Sequence, residues 1–317
     1  MRLILKTLLR IFLRVRINGD CAPLAAGGVL VLANHDSLLD GVILGLFLPR
    51  RPIVVLSPED VQRWPYKLLA RFFAHRVVDL SEPATVKLLV RLLVAGELLV
   101  VFPQGRATTT ASAMKFYPIV AIVALRAAVA VVPCTISGLL YSIHSLVPGN
   151  FARRQFPAVT VRIDAATRIP AARGTSTREK RRHAADVLDA LMSEAAVRGR
   201  GRHTLFEGLL QATATFGRAH RIVEDVRGKC ETYGELLRAT LAFSRLGCKL
   251  AAREEIIGVM MPNLSTTVAA LIGLGAGRRV PAMFNYTAGP EALRSACVAA
   301  KIRTVITSRK FVEAARL

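Results

Sequence analysis

Residues 29–40 read VLVLANHDSLLD and contain the signals that decide the fold. The first five, Val29 to Ala33, are apolar and partly β-branched, which is typical of a buried strand. Ser37 and Asp40 fit a capping box, which predicts that a helix begins there and continues through the apolar stretch 42–48. A buried strand that leads directly into a helix is the repeating unit of an α/β fold.

Further strand-like runs follow along the first part of the chain. They lie at 53–56, 98–102, 130–132 and 159–163. Helical patterns such as 84–95 separate them, and this alternation predicts an α/β domain.

Composition limits the classes of function. The 317 residues include 44 Lys and Arg against 22 Asp and Glu, so the net charge is +22, and 52% are hydrophobic. The hydrophobic content excludes a disordered chain, and the charge favours a polyanionic partner. Only 6% of the residues are aromatic, which favours anionic lipid over nucleic acid. The five cysteines form no C-x-x-C pair, so neither a disulfide framework nor a zinc site is predicted.

The amino-terminal segment 1–17 has the pattern of an amphipathic helix. Its basic residues recur at every fourth position and fall on one helical stripe, whereas Leu, Ile and Phe cover the rest. These basic residues are Arg2, Lys6, Arg10 and Arg14. The pattern predicts a helix at a bilayer surface, with its apolar body in the acyl boundary and its cations at anionic headgroups. The alternative is an ordinary helix packed on the domain, with solvated charges.

Two residues of the quoted stretch can carry out acid–base chemistry. A neutral imidazole at His35 can take a proton from an alcohol near pH 7, provided that a carboxylate holds the other ring nitrogen. Asp40 can supply that carboxylate if His35 lies in the turn and Asp40 in the first helical turn, since continuous helix would point the two apart. The alternative is that Asp40 only caps the helix.

A second element follows the strand at 98–102. Pro103-Gln104-Gly105-Arg106 is a glycine-containing turn with a guanidinium. This combination suits a phosphate ligand, because exposed amides and arginine both bind phosphate oxygens. The alternative is a plain turn with a solvated arginine.

These two motifs resemble those of the glycerolipid acyltransferase family typified by lysophosphatidic acid acyltransferase. His35 and Asp40 match its H-x4-D motif, and Phe102 to Arg106 match its F-P-E-G-x-R-type motif. More weakly, 73–76 resembles the arginine-bearing second block of the family, and Val132-Pro133 resembles its V-P block. Their order and spacing agree over about the first three fifths of the chain.

The resemblance implies an α/β fold with a mixed sheet flanked by helices, and it assigns roles to the motif residues. His35 would remove the proton of the acceptor hydroxyl and Asp40 would orient His35, without a covalent enzyme intermediate. Arg106 and the Gly105 backbone would hold the acceptor phosphate. The residues expected to bind substrate are Asn34, Gly105, Arg106, Arg76 and Lys115. No metal and no cofactor are expected for acyl transfer.

One residue departs from the family pattern. Gln104 lies where the family usually has a glutamate that is thought to help hold the acceptor. We therefore expect a Gln104→Glu change to improve acceptor use, since a carboxylate makes stronger charge-assisted hydrogen bonds than an amide. The proposed base is unaffected by this departure.

The remainder of the chain resembles the beginning of adenylate-forming acyl ligases. The matching segments, in the order of that family, are 233–236, 257–260, 262–263 and 281–286. The Ser/Thr/Gly-rich phosphate loop with its lysine is not in this sequence, so ATP and Mg would serve only a complete ligase half. The uncharged run 256–277 is long enough to span a membrane, but Pro262 and the Ser/Thr cluster after it favour a strand, a turn and a capped helix.

These patterns predict the domain organisation. We expect an acyltransferase domain at 1–197, a linker at 198–215 that begins with a Gly/Arg stretch, and a fragment of an acyl ligase domain at 216–317. An acyltransferase ahead of such a ligase resembles the bifunctional bacterial family that joins 2-acylglycerophosphoethanolamine acyltransferase to acyl-[acyl-carrier-protein] synthetase.

The leading hypothesis is an acyltransferase that moves a fatty acyl group from acyl carrier protein, or from acyl-CoA, to a lysophospholipid such as 2-acyl-glycerophosphoethanolamine. Its expected partners are the carrier protein, the lysophospholipid and an anionic membrane surface, with no nucleic acid. Its expected location is the cytoplasmic face of a bacterial inner membrane. One alternative is an ATP-dependent acyl ligase, which the missing phosphate loop disfavours. The other is a non-catalytic protein that binds membrane or nucleic acid.

Overall fold

The computed structural model describes residues 2–25, 27–64, 66–105, 107–108, 116–149, 151–170, 176–199, 203–226 and 228–315. The chain divides into two compact units. Unit 1 comprises residues 1–149 and 153–201, and unit 2 comprises residues 150–152 and 202–317. Within the described ranges, no helix combines the length and the apolar character needed to cross a membrane.

Unit 1 is a sheet with helices on both faces. Its helices are α1 (Arg2–Phe12), α2 (Leu39–Phe47), α3 (Pro58–Gln62), α4 (Tyr66–Leu69), α5 (Ala84–Val94), α6 (Pro118–Ala127) and α7 (Thr177–Gly199), with 3-10 turns at Ala22–Leu24 and Ala70–Phe72. Its strands are β1 (Arg16–Asn18), β2 (Val29–Ala33), β3 (Ile53–Leu56), β4 (His75–Val77), β5 (Leu98–Val101), β6 (Ala130–Ser137) and β7 (Thr160–Ile163). Their order is β1-β7-β6-β2-β5-β3-β4, and every pair is parallel except β6–β7. The predicted α/β fold with a mixed sheet flanked by helices is confirmed.

Strand β2 lies at the centre of this sheet, and all five of its residues are apolar and buried. Alternate residues of a strand point to opposite faces, so β2 contributes to two cores. Val29, Val31 and Ala33 pack in one core, with α2. Leu30 and Leu32 pack in the other, with α5, α6 and α7. Cover on both faces explains why the strands read as continuous apolar runs.

Three local features of unit 1 differ from expectation. Strands β1 and β4 are three residues long and mostly exposed, so the hydrophobic pattern of the sequence does not predict them. Helix α1 ends at Phe12, and Arg14 beyond it has a left-handed φ of 46° and donates to the carbonyl of Phe156. The predicted stripe of four cations therefore loses its last member.

Unit 2 contains two small sheets. Its helices are α8 (Leu205–Phe216), α9 (Tyr233–Leu250), α10 (Ser265–Ala276), α11 (Pro290–Ala299) and α12 (Arg309–Ala315), with a 3-10 turn at Tyr286–Ala288. Its strands are the antiparallel pair β8 (Arg221–Glu224) and β9 (Cys230–Thr232), and β10 (Ile256–Met260), β11 (Val280–Met283) and β12 (Thr304–Thr307), a parallel sheet in the order β11-β10-β12.

Helix α8 occupies most of the segment 198–215 that was expected to be a linker. A capping box of Thr204 and Glu207 begins this helix, a signal that the Gly/Arg stretch before it obscured. The uncharged run 256–277 forms β10, a turn and α10 rather than one continuous helix.

Candidate active site

Three neighbouring strands bring the candidate residues to one edge of the sheet. Strands β2, β5 and β3 are adjacent and parallel, and the segments that follow them carry His35, Gln104 and Asp60 respectively. The carboxyl ends of parallel strands share one edge, which is where α/β folds place their ligands. The sequence patterns pointed to His35 and Gln104 but missed Asp60.

His35 and Asp40 lie together as their spacing predicted. The Nδ1 atom of His35 is 3.2 Å from Oδ2 of Asp40, and both side chains are buried. His35 lies in the turn before α2 and Asp40 lies in its first helical turn, which is the arrangement that the five-residue spacing requires. A carboxylate at Nδ1 favours the ring form in which that nitrogen donates its hydrogen.

Backbone amides hold Asp40 in place. The N–H groups of Asp36 and Ser37 donate to Oδ2 of Asp40 at 2.7 and 2.8 Å. Only half of the predicted capping box forms, because the Ser37 hydroxyl accepts from the amide of Leu39 rather than from that of Asp40. The same carboxylate oxygen thus ties the turn and faces His35, so capping and orienting are not exclusive roles.

A second carboxylate faces the other nitrogen of the ring. Oδ2 of Asp60 lies 3.5 Å from Nε2 of His35, an ion-pair distance. Asp60 belongs to the short helix α3, where its N–H donates to the Ser57 hydroxyl and its Oδ2 accepts from that hydroxyl. The sequence Ser57-Pro58-Glu59-Asp60 directly after β3 could have signalled it, because a capping box there places its carboxylate at the same edge of the sheet.

Aromatic and backbone contacts surround the rest of the His35 ring. The ring of Phe102 stacks on it with centroids 4.1 Å apart and planes 19° apart. The Thr108 N–H donates to the His35 carbonyl at 2.8 Å, which joins the turn after β5 to the turn after β2. The buried Tyr66 hydroxyl has no hydrogen-bond partner among the described residues. Only 1% of the surface of His35 is exposed, so solvent does not reach the ring directly.

The two carboxylates decide the charge of His35. Burial lowers the pKa of His35, but the hydrogen bonds and charges of Asp40 and Asp60 outweigh burial and raise the pKa to about 9. Burial likewise raises the pKa of Asp60, and contact with His35 outweighs it and lowers the pKa below its ordinary value. Near neutral pH the site holds an imidazolium between carboxylates.

An open pocket of about 560 Å³ adjoins this group, a volume within the range of small-ligand sites. Its lining comes from segments 57–59, 79–80, 104–105 and 116–118. A smaller cavity lined by Asp60 and Phe102 shares three of these lining residues. Asp60 therefore lies between the Nε2 face of His35 and the pocket.

Asn34 was expected to bind substrate, and the structure gives it a different role. Its Nδ2 donates to the carbonyl of Ile136, its Oδ1 accepts from the N–H of Ile136, and Nδ2 also donates to Asp36. The amide thus ties the end of β2 to β6. Its hydrogen bonds are used within the fold, so we no longer assign Asn34 to the substrate.

Gly105 lines the pocket, but its amide is already used. Its N–H donates to the carbonyl of Phe102 at 2.9 Å and closes the turn, so in this conformation it does not serve a phosphate as expected. Its φ is +74°, and a Cβ here would lie 2.5 Å from the ring of Tyr117. Both facts require glycine. The residue therefore shapes the pocket wall.

The sequence predicts three cations that bind substrate, and the described part of the chain includes one of them. Arg76 is exposed on the edge strand β4 and is not among the residues that line the pocket. Arg106 and Lys115 lie outside the described residues.

Gln104 is buried at the pocket wall. Its Oε1 atom is buried and has no hydrogen-bond partner in the part of the chain that the structure describes. Glu59 and Asp79 line the same pocket. A glutamate at position 104 would add a third carboxylate to this lining, so the expected effect of Gln104→Glu on acceptor use stays a prediction.

Comparison with solved structures finds partial similarities. The lysophosphatidic acid acyltransferase PlsC from Thermotoga maritima is 19% identical, with 61% of this chain and 81% of that chain covered and a TM-score of 0.40. VinN in complex with 3-methylaspartate is 30% identical, with 36% of this chain and 32% of that chain covered and a TM-score of 0.33. The N-terminal domain of FACL13 from Mycobacterium tuberculosis is 18% identical, with 36% and 30% covered and a TM-score of 0.31. The similarity thus spans about a third of the length of the VinN and FACL13 chains.

Comparison with protein-family models finds a match in unit 1. Residues 14–137 match the family described as Acyltransferase. The matched range contains His35, Asp40, Asp60 and Gln104. These four residues therefore lie inside the range that matches this family model.

Proposed function

We propose that unit 1 transfers a fatty acyl group from a thioester of acyl carrier protein, or of coenzyme A, to the free hydroxyl of a lysophospholipid. The observation that carries this proposal is the buried His35–Asp40 pair, with Nδ1 and Oδ2 3.2 Å apart, inside the range that matches the acyltransferase family. The adjoining pocket offers room for part of a lipid substrate.

In the proposed reaction, His35 acts as the general base. Neutral Nε2 of His35 takes the proton of the acceptor hydroxyl as its oxygen attacks the thioester carbonyl. The new C–O bond forms, the C–S bond breaks, and the thiolate leaves with the proton that the imidazolium returns. Asp40 stabilises that imidazolium through Nδ1. A thioester is already an activated acyl donor, so this reaction needs neither ATP nor a metal ion.

The preferred acceptor in this proposal is 2-acyl-glycerophosphoethanolamine, and the preferred donor is acyl carrier protein. The carbonyl oxygen of Gln104, which has no hydrogen-bond partner among the described residues, can accept a hydrogen bond from an acceptor hydroxyl or headgroup ammonium. A net charge of +22 favours approach of an acidic carrier protein and of anionic lipid.

The membrane surface proposed for attachment is the cytoplasmic face of a bacterial inner membrane, and helix α1 supports attachment to a membrane surface. Several of its apolar side chains are exposed, among them Leu3, Ile4 and Ile11 at 76%, 64% and 64%, whereas Leu5 and Leu9 pack against unit 1. Arg2 donates to the carbonyl of Gly45 and Lys6 lies over the ring of Phe47, so the amino-terminal cations face unit 1. The apolar face, rather than a stripe of cations, is therefore the surface offered to lipid.

The proposal is tested by incubating the purified protein with acyl-carrier thioester and a panel of lysophospholipids, and by following the free thiol and the mass of the ester. Parallel arms use acyl-CoA as donor and glycerol 3-phosphate as a non-lipid acceptor. We expect ester from 2-acyl-glycerophosphoethanolamine with equimolar thiol. Thiol release without ester, or no reaction with any acceptor, would contradict the proposal.

A further inference from the structure

His35 is held by carboxylates at both ring nitrogens, which is one more than a general base needs. Asp40 faces Nδ1 at 3.2 Å and Asp60 faces Nε2 at 3.5 Å. A base must present a free lone pair at Nε2 to the acceptor hydroxyl. In the structure that position is taken by Asp60, and Phe102 covers one face of the ring. An acceptor hydroxyl therefore cannot reach Nε2 while Asp60 stays in this position.

We propose that Asp60 is a positioning residue for acyl transfer: its carboxylate occupies the place of the acceptor hydroxyl at Nε2 of His35 in the free protein, and the acceptor displaces it. This inference rests on the proposed role of His35 as the base. Displacement leaves Asp40 as the one carboxylate on the ring, so the neutral, reactive form of His35 is produced where the acceptor has bound.

The construction of α3 allows this displacement. The helix has five residues, and Asp60 is its one buried side chain. Trp64, which follows it, is 81% exposed. A short segment with so little buried surface opens locally at low cost. The small cavity beside Asp60 shares Ser57, Leu80 and Gly105 with the pocket lining, so the pocket lies next to the carboxylate.

Other charged or titratable groups around the ring lie on several elements. From α2 comes Asp40, and from α4 comes the buried Tyr66, whose pKa is raised by burial and by the two carboxylates. From β6 comes Cys134, whose pKa is also raised, chiefly by burial. Both of these groups remain neutral near pH 7, and Arg63 lies close enough to Asp60 to lower its pKa. Asp60 is thus the group whose charge at Nε2 can change the state of His35.

The test is an NMR titration of the His35 side chain in the full chain, which needs no turnover. In Asp60→Asn we expect the protonation midpoint of His35 to fall by about 1 to 2 pH units, because an opposite charge at this distance has been removed. Glu59→Gln is the matched control, since it removes the same charge one residue earlier on α3. This control should keep the elevated midpoint.

A second arm titrates the unchanged protein with and without 2-acyl-glycerophosphoethanolamine in detergent. Bound acceptor should lower the His35 midpoint, and the fluorescence of Trp64, the one tryptophan of the chain, should change as α3 moves. In kinetics, the acid limb of kcat/KM should lie at higher pH than that of kcat, and Asp60→Asn should bring the two together.

The outcomes separate this inference from the proposed function. An unchanged His35 midpoint in folded Asp60→Asn overturns the role of Asp60, and so does a midpoint that acceptor binding fails to lower. The second arm decides the matter if Asp60→Asn does not fold. Absence of ester from the unchanged protein, with the titrations as expected, refutes the proposed function and leaves the contact of Asp60 with His35 established.

Discussion

Helices α2 and α3 each deliver one carboxylate to His35, yet they are anchored very differently. Every residue of α2 is buried, and two backbone amides donate to the Asp40 oxygen that faces the ring. In α3 only Asp60 is buried, and apart from His35 the Ser57 hydroxyl is the one donor to its carboxylate among the described residues. Asp40 is therefore fixed by a fully buried helix, whereas Asp60 lies on a short, mostly exposed helix that we propose can move away from the ring.

The largest effect on turnover should come from His35, which both carboxylates contact. His35→Ala removes the base, so turnover should fall by about 10²- to 10⁴-fold. Rates are measured by ester formation from acyl-carrier thioester. His203→Ala, an exposed histidine of unit 2, is the control and should keep the parental rate. Near-parental turnover in His35→Ala would remove the basis of the mechanism.

Asp40→Asn changes the carboxylate that α2 presents to His35. An amide leaves the imidazolium without its charge partner and meets two N–H donors less well, so we expect turnover to fall by about 10²-fold. Stability should fall by about 1 to 3 kcal/mol, read from urea unfolding. Asp189→Asn, on the exposed face of α7, controls for the loss of one negative charge. Equal rates for the two variants would contradict the assigned role of Asp40.

The contact of Asp60 with His35 should determine how kcat/KM depends on pH. A base must be neutral, so kcat/KM rises with pH as His35 loses its proton, and the raised pKa of about 9 places this limb on the alkaline side. Raising the pH from 6 to 8 should therefore increase kcat/KM for the unchanged protein about 10- to 100-fold, and less for Asp60→Asn. A profile that is flat between these values would show that protonation of His35 does not limit the reaction.

A smaller effect is expected at the pocket wall. Gln104→Glu adds a carboxylate to a pocket that already carries Glu59 and Asp79, so KM for a phosphate-bearing acceptor should rise about five- to tenfold with little change in kcat. Gln104→Met is the isosteric comparison that removes the carbonyl without adding charge. A lower KM in Gln104→Glu would instead support the expectation drawn from the sequence alone.

The smallest effect on chemistry should come from α1, far along the chain from the two carboxylates. The double variant Ile4→Glu and Ile11→Glu should weaken cosedimentation with anionic vesicles about tenfold or more, while turnover with detergent-solubilised acceptor stays parental. Val298→Glu, which changes a residue of unit 2 that is 79% exposed, is the control. Unchanged vesicle binding would mean that another surface attaches the protein.

The sequence predicted those parts of the fold in which the physical signal is local. Apolar runs predicted β2, β3 and β5, because strands covered on both faces exclude polar residues. The edge strands β1 and β4 carry no such run, and the parallel pairing of β1 with β7 depends on residues more than 140 positions away. Pairing of this kind follows from the assembled sheet and not from any short segment.

The candidate site divides in the same way. The pairing of His35 with Asp40 was predictable, because five residues across a strand-to-helix turn bring the two together. Asp60 was not, since its approach to Nε2 depends on the order of β2, β5 and β3 in the sheet. The position of Asn34 in the motif predicted a substrate-binding residue, whereas in the structure its side chain hydrogen-bonds to Ile136 of β6.

We expect His35 and Asp40 to act as one catalytic unit, which a double-mutant cycle can test. Turnover is measured for His35→Ala, for Asp40→Asn and for the double variant, with folding of each checked by circular dichroism. If Asp40 acts only through the imidazole, its loss costs nothing further once His35 is gone, so the double variant should match His35→Ala within about twofold. If the two losses multiply, Asp40 contributes independently of His35 and the account of the site is wrong.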